Sequence, residues 1–98
     1  MTPVILTLIL DLYFRLTPIT MVPKTPEVQE LARLIKAKPT EITEVMEVFQ
    51  HCDPYLNRKD KTDSLLAAPC HEIWRRYGNA ETEQLASYAE QLKEYFRS

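Results

Sequence analysis

With 98 residues, 45% of them apolar, the chain has material for one hydrophobic core and not for two. One glycine against seven prolines argues against β-hairpins, whose tight turns rely on glycine at positive φ. Twelve basic and fourteen acidic residues leave a formal net charge of −2, which excludes a global attraction to phosphate or to anionic membranes.

The first helix is expected from about Pro3 to Leu16, capped by Thr2 with Pro3 in the first turn. Its apolar residues, from Val4 through Leu10 to Leu16, exceed what one face of a 3.6-residue period can hold. Such a helix is either central to the fold or half-buried against a partner, and the second option makes a homodimer through this helix one reading. Val4 to Leu10 is too short to span a bilayer, which takes about 20 apolar residues, and Asp11 and Arg15 follow it. No membrane anchor or secretory leader is read, and two cysteines are too few for a disulfide scaffold, so a cytoplasmic protein with free thiols is expected.

Two prolines make 17–24 an extended connection that should pack Ile19, Met21 or Val22 on the core. Thr25-Pro26-Glu27 then starts a second helix whose buried stripe is Val28, Leu31, Ala32 and Ile35. Lys36-Ala37-Lys38 forms a turn, Pro39 prevents a continuous helix, and Thr40 is expected to cap a third helix with the stripe Ile42, Val45, Met46 and Phe49. Two short helices with a shared stripe, over about 25–52, form a helix-turn-helix pair.

Asp53-Pro54 closes that pair, and about 54–67 reads as a solvated loop carrying Arg58, Lys59 and Lys61. Helices over about 68–97 follow. Ala68-Pro69 starts the first, which turns Ile73, Trp74 and Tyr77 inward and ends at Gly78 in the left-handed region. Asn79 caps the second, with Leu85, Tyr88, Ala89 and Leu92 as its stripe and Tyr95 and Phe96 beyond it. The fold class is therefore all-α, one domain over 1–98 with about five helices.

In a DNA-bound helix-turn-helix the second helix lies in the major groove. Here the outward residues of that helix are Glu41, Thr43, Glu44, Glu47 and Gln50, with no lysine or arginine. Phosphate contacts would fall to Lys36 and Lys38 at the turn and to Arg58, Lys59 and Lys61 in the loop, with Thr43 and Gln50 nearest the bases. His51-Cys52 and Cys70-His71 hold zinc-type donors, but adjacent helical residues diverge by about 100°, so buried thiols are the expectation and no metal is assigned. Trp74 before Arg75-Arg76 is read as core. No phosphate loop, paired catalytic carboxylates or Ser-His-Asp set is found, which points to a non-enzymatic protein without cofactors.

Leu10-Asp11-Leu12-Tyr13-Phe14-Arg15-Leu16, the run from Thr25 to Ile35, Pro39, Met46, Phe49, Asp53-Pro54 and Ile73-Trp74 resemble the N-terminal domain of bacterial HNH-type restriction endonucleases. The resemblance spans roughly 5–78. It implies a small helix-turn-helix-like targeting domain for duplex DNA, here without the nuclease, so that neither catalysis nor its metal carries over. Two departures bear on function. The family's turn is usually Gly-Arg-Thr-Pro where this chain has Lys36-Ala37-Lys38-Pro39, and small or basic residues are replaced by Glu41, Glu44 and Glu47 on the following helix. The alternative is a protein-interaction or homodimerisation module that keeps the scaffold.

Overall fold

Proline in the first turn marks the start of the first three helices, and one central helix gathers the rest. The structure, a computed structural model, describes residues 2–53, 67–78 and 82–97. Five α-helices are found among the described residues: α1 (Pro3–Arg15), α2 (Pro26–Ile35), α3 (Pro39–Cys52), α4 (Ala67–Tyr77) and α5 (Thr82–Arg97), with a short 3-10 turn at Pro18–Thr20. No strand occurs among them, and the all-α expectation is met.

Helix α1 begins as its sequence dictates: the Thr2 hydroxyl accepts the Ile5 N–H at 3.3 Å, and Pro3 takes a position where an amide hydrogen would have no partner. It is the hub of the fold and packs against α2, α3, α4 and α5. Its residues from Leu6 to Tyr13 are all buried. Most of the apolar excess of this helix is thus spent inside the monomer, with Val4 left 38% exposed at its start. No helix among the described residues is long and apolar enough to cross a membrane.

The connection after α1 is not simply extended. The Thr20 hydroxyl accepts the Thr17 N–H at 3.0 Å and stabilises one 3-10 turn between the two prolines. Ile19 points out, 87% exposed, while Met21 packs on the core. Thr25 occupies the N-cap position of α2, but its hydroxyl donates to the Thr20 carbonyl at 2.6 Å instead of capping the helix.

The α2–α3 pair forms with the predicted stripe, and Val28, Leu31, Ala32, Ile35, Ile42, Val45, Met46 and Phe49 are all buried. Helix α3 starts one residue before the expected cap: Lys38, not Thr40, is the N-cap, because Pro39 is preset for the first helical position. An ammonium cannot accept a hydrogen bond, so the cap is one-sided, with Glu41 Oε1 reaching back to accept the Lys38 N–H at 3.3 Å.

Lys36 ends α2 at φ 57° and ψ 43°, a left-handed conformation that costs a residue with a Cβ about 1 kcal/mol. Lys36→Gly should therefore raise stability by up to about 1 kcal/mol, partly offset by the freer unfolded chain. Urea denaturation of the two proteins checks this, and a loss of stability would mean that the turn is held by the lysine side chain.

Helix α4 carries Ile73 and Cys70 into the core, while Trp74 and Tyr77 are half-buried against it. Tyr13, Phe14, Phe49 and Trp74 form an aromatic cluster with centroids 5.5–6.3 Å apart, so Trp74 is a packing residue. Gly78 is not left-handed as expected. Its N–H donates to the Trp74 carbonyl at 2.7 Å, and a Cβ at this position would lie 2.5 Å from that oxygen, so close approach is what favours glycine. In α5, Leu85, Ala89 and Leu92 face inward, whereas Tyr88 is 39% exposed and its ring lies 5.8 Å from that of Tyr77. Tyr95 is 79% exposed. Ala67, expected in the loop over about 54–67, begins α4 instead; the rest of that expected loop and the Asn79 cap lie outside the described residues.

Candidate functional site

The outward face of α3 follows from its stripe. With Ile42, Val45, Met46 and Phe49 committed to the core, Glu41, Glu44 and Glu47 project into solvent, as expected. None of the three has a cation within ion-pair distance among the described residues. Glu41 is partly occupied by the cap of α3, and its charge also suits the positive end of that helix. Among the described residues Glu44 and Glu47 have no such task. They flank a shallow depression of about 270 Å³, completed by Met21, Thr43 and Gln50.

The predicted DNA-contacting residues divide among four fates. Lys36 and Lys38 are exposed at the turn, at the N-terminal end of α3. Thr43 is half-buried, and its hydroxyl donates to the Thr40 carbonyl at 3.0 Å. Gln50 is not an outward reader: it is 7% exposed, with its amide nitrogen 3.1 Å from the Met21 sulfur, because the connection after α1 folds back over the end of α3. Arg58, Lys59 and Lys61 lie outside the described residues.

The thiol and imidazole groups were separated in the sequence by helix geometry, but α3 and α4 bring one of each together. Cys52 Sγ lies 3.5 Å from His71 Nδ1. Pairing each cysteine with its own neighbour had missed this contact between helices. Cys70 is fully buried, and burial, with a smaller contribution from the nearby Cys52, pushes its thiol up to about 11. Burial also raises the Cys52 thiol, with Asp53 acting in the same direction. Both are protonated at neutral pH, which makes them poor nucleophiles. No group of three or more His, Cys, Asp or Glu side chains is placed to hold a metal among the described residues. His51 Nδ1 is buried without a hydrogen-bond partner among them.

A second polar feature is buried within the apolar run of α1. Asp11 is 3% exposed in the middle of α1, and its Oδ2 accepts from Arg15 Nη2 at 2.6 Å. Burial raises its carboxyl above the ordinary value, against the pull of Arg15 and, more weakly, Lys93, with Glu90 adding to the rise. A carboxyl raised in the folded state lends stability that is complete below its unfolded value and is lost as pH climbs through the folded one. Asp11→Asn should therefore be at least as stable as the parent at neutral pH, with its advantage vanishing below pH 3.8. Urea midpoints at the two pH values test this, and a large loss confined to neutral pH would show that the Arg15 pair outweighs desolvation.

Compared with known proteins, the chain matches no family model, no curated protein and no solved structure.

Proposed function

We propose that the chain is a non-enzymatic protein-interaction module that uses the outward face of α3 to hold a basic segment of a partner. The observation that carries this reading is the pair Glu44 and Glu47, exposed around one depression with no cation within ion-pair distance among the described residues. Like charges one helical turn apart cost a few tenths of a kcal/mol, and nothing described inside the fold offsets that cost. A lysine- or arginine-rich segment would. Such contacts at an exposed rim set association rate and specificity more than affinity.

The second reading is DNA targeting through the helix-turn-helix, supported by the α2–α3 pair and by Lys36 and Lys38 exposed at its turn. In that reading Arg58, Lys59 and Lys61 add phosphate contacts and Thr43 lies nearest the bases. Burial of Gln50 removes one of its two base-reading residues, and Glu44 and Glu47 would face a polyanion. Fluorescence anisotropy with a labelled Lys/Arg-rich peptide and with random duplex DNA, at low and raised salt, separates the two. The interaction reading expects salt-sensitive binding of the peptide and none of the duplex. Tight, steeply salt-dependent binding of the duplex with no binding of the peptide would reverse the order.

A further inference from the structure

The outward side of α5 differs in kind from those of α2, α3 and α4. Leu85, Ala89 and Leu92 fix which side faces the core, and Gln84, Ser87, Tyr88, Gln91 and Tyr95 then share an outward arc of about 100°. All of these are exposed, Tyr95 most of all. None is charged, in a chain where 27% of residues are. By contrast α2 presents Glu27, Glu30 and Arg33, α3 its glutamates, and α4 Glu72, Arg75 and Arg76.

Tyrosine enriched and charge depleted is the composition of an interface core, which a polar rim surrounds. The charges of α5 lie off the arc and are already paired, Lys93 with Glu90 at 3.2 Å and Arg97 with Glu94 at 2.9 Å. Tyr77 of α4 extends the arc and packs its ring on that of Tyr88, so one of the two exposed anchors is ordered before anything docks.

The occupant follows from this chemistry. A charged partner would lose hydration on such a face without gaining a counter-charge, and a purely apolar one would leave the glutamine amides and tyrosine hydroxyls without partners. A second copy of the chain has neither defect. A glutamine amide carries donors and an acceptor together, so Gln91 can pair with itself across a two-fold axis. In an antiparallel pair centred beside Gln91, Tyr88 meets the partner's Tyr95, and symmetry repeats the contact. The same arrangement lays the positive start of each α5 beside the negative end of the other and brings Glu83, in the first turn, toward the partner's Arg97, in the last.

We propose that the chain self-associates through this face of α5 as an antiparallel two-fold dimer centred near Gln91. A fully buried tyrosine covers about 150–250 Å²; Tyr95 has most of that left to bury and Tyr88 over a third. The pair falls at the low end of specific interfaces, near about 1,200 Å² in total, and is reversible. It does not rest on the basic-segment reading, which concerns another helix.

Sedimentation equilibrium from about 1 to about 500 µM should show the mass rising from monomer toward dimer, with a Kd of about 10–100 µM. Raised salt should change it by less than about threefold, because the face itself carries no charge. Tyr95→Arg, at a position 79% exposed, should weaken the dimer by about tenfold or more without disturbing the fold. Gln91→Lys and Gln91→Glu each set like charges against one another across the axis and should do the same, whereas an equimolar mixture of the two should associate at least as tightly as the parent. A chain that stays monomeric throughout, a dimer that survives these variants, or a mixture no tighter than either variant alone would overturn the proposal. So would a monomer whose Tyr88 and Tyr95 amides shift with a single-stranded oligonucleotide, which would give the face to nucleic acid.

Discussion

Phe49→Ala should cost about 3–5 kcal/mol of folding stability, the range for removing a fully buried aromatic ring. The ring has no exposed surface and lies 5.9 Å from Tyr13 and 6.3 Å from Trp74. It therefore joins α3 to α1 and α4 at once, and its loss opens a cavity that no single helix can fill by shifting. For a domain of this size 1 kcal/mol corresponds to roughly 4–8 °C of melting temperature, so a fall of about 15 °C or more is expected. Phe49→Leu keeps most of the volume and should cost about 1.5 kcal/mol or less. Calorimetry of the three proteins decides it. A loss under about 1 kcal/mol for the alanine variant would mean that α3 is not seated as described.

Glu44→Lys/Glu47→Lys should leave the fold intact and invert what the molecule binds. Both positions are exposed and have no ion-pair partner among the described residues, so the change in stability should stay within about 0.5 kcal/mol per site. Each reversal replaces an attraction for a basic segment, about 0.2–1 kcal/mol at an exposed rim, by a repulsion of similar size. Together the two should weaken peptide binding by roughly ten- to a hundredfold. The same variant presents two new cations beside Lys36 and Lys38 on a helix-turn-helix pair, and salt-sensitive binding of duplex DNA should appear. Anisotropy with both probes reads the exchange. An unchanged affinity for the basic peptide would remove α3 as its docking face.

Local pattern carried the scaffold because an amphipathic stripe encodes its own burial. Val28, Leu31, Ala32 and Ile35, then Ile42, Val45, Met46 and Phe49, recur at the period that places them on one face, and all eight are buried. The pattern could not orient α1, whose apolar residues surround it; only the positions of four other helices show that this surplus is core. Gln50 was misread for a related reason. It borders the stripe as a polar residue, and what buries it is Met21, 29 positions earlier, returning from the connection after α1. The turn after α2 was legible, but its left-handed residue was not, since a lysine gives no sign of positive φ. Asp11 looked like the polar end of an apolar run and is instead a buried carboxylate that lines a cleft. The contact of Cys52 with His71 depends on how α3 meets α4, which no spacing within either helix records.

The face of α3 can be examined directly by titrating the 15N-labelled chain with a Lys/Arg-rich peptide at low salt and following each backbone amide. The account predicts that shifts concentrate around Thr43, Glu44 and Glu47, fade as salt is raised, and are absent from Glu44→Lys/Glu47→Lys. Shifts confined to other helices, or a response of α3 to duplex DNA and not to the peptide, would contradict it.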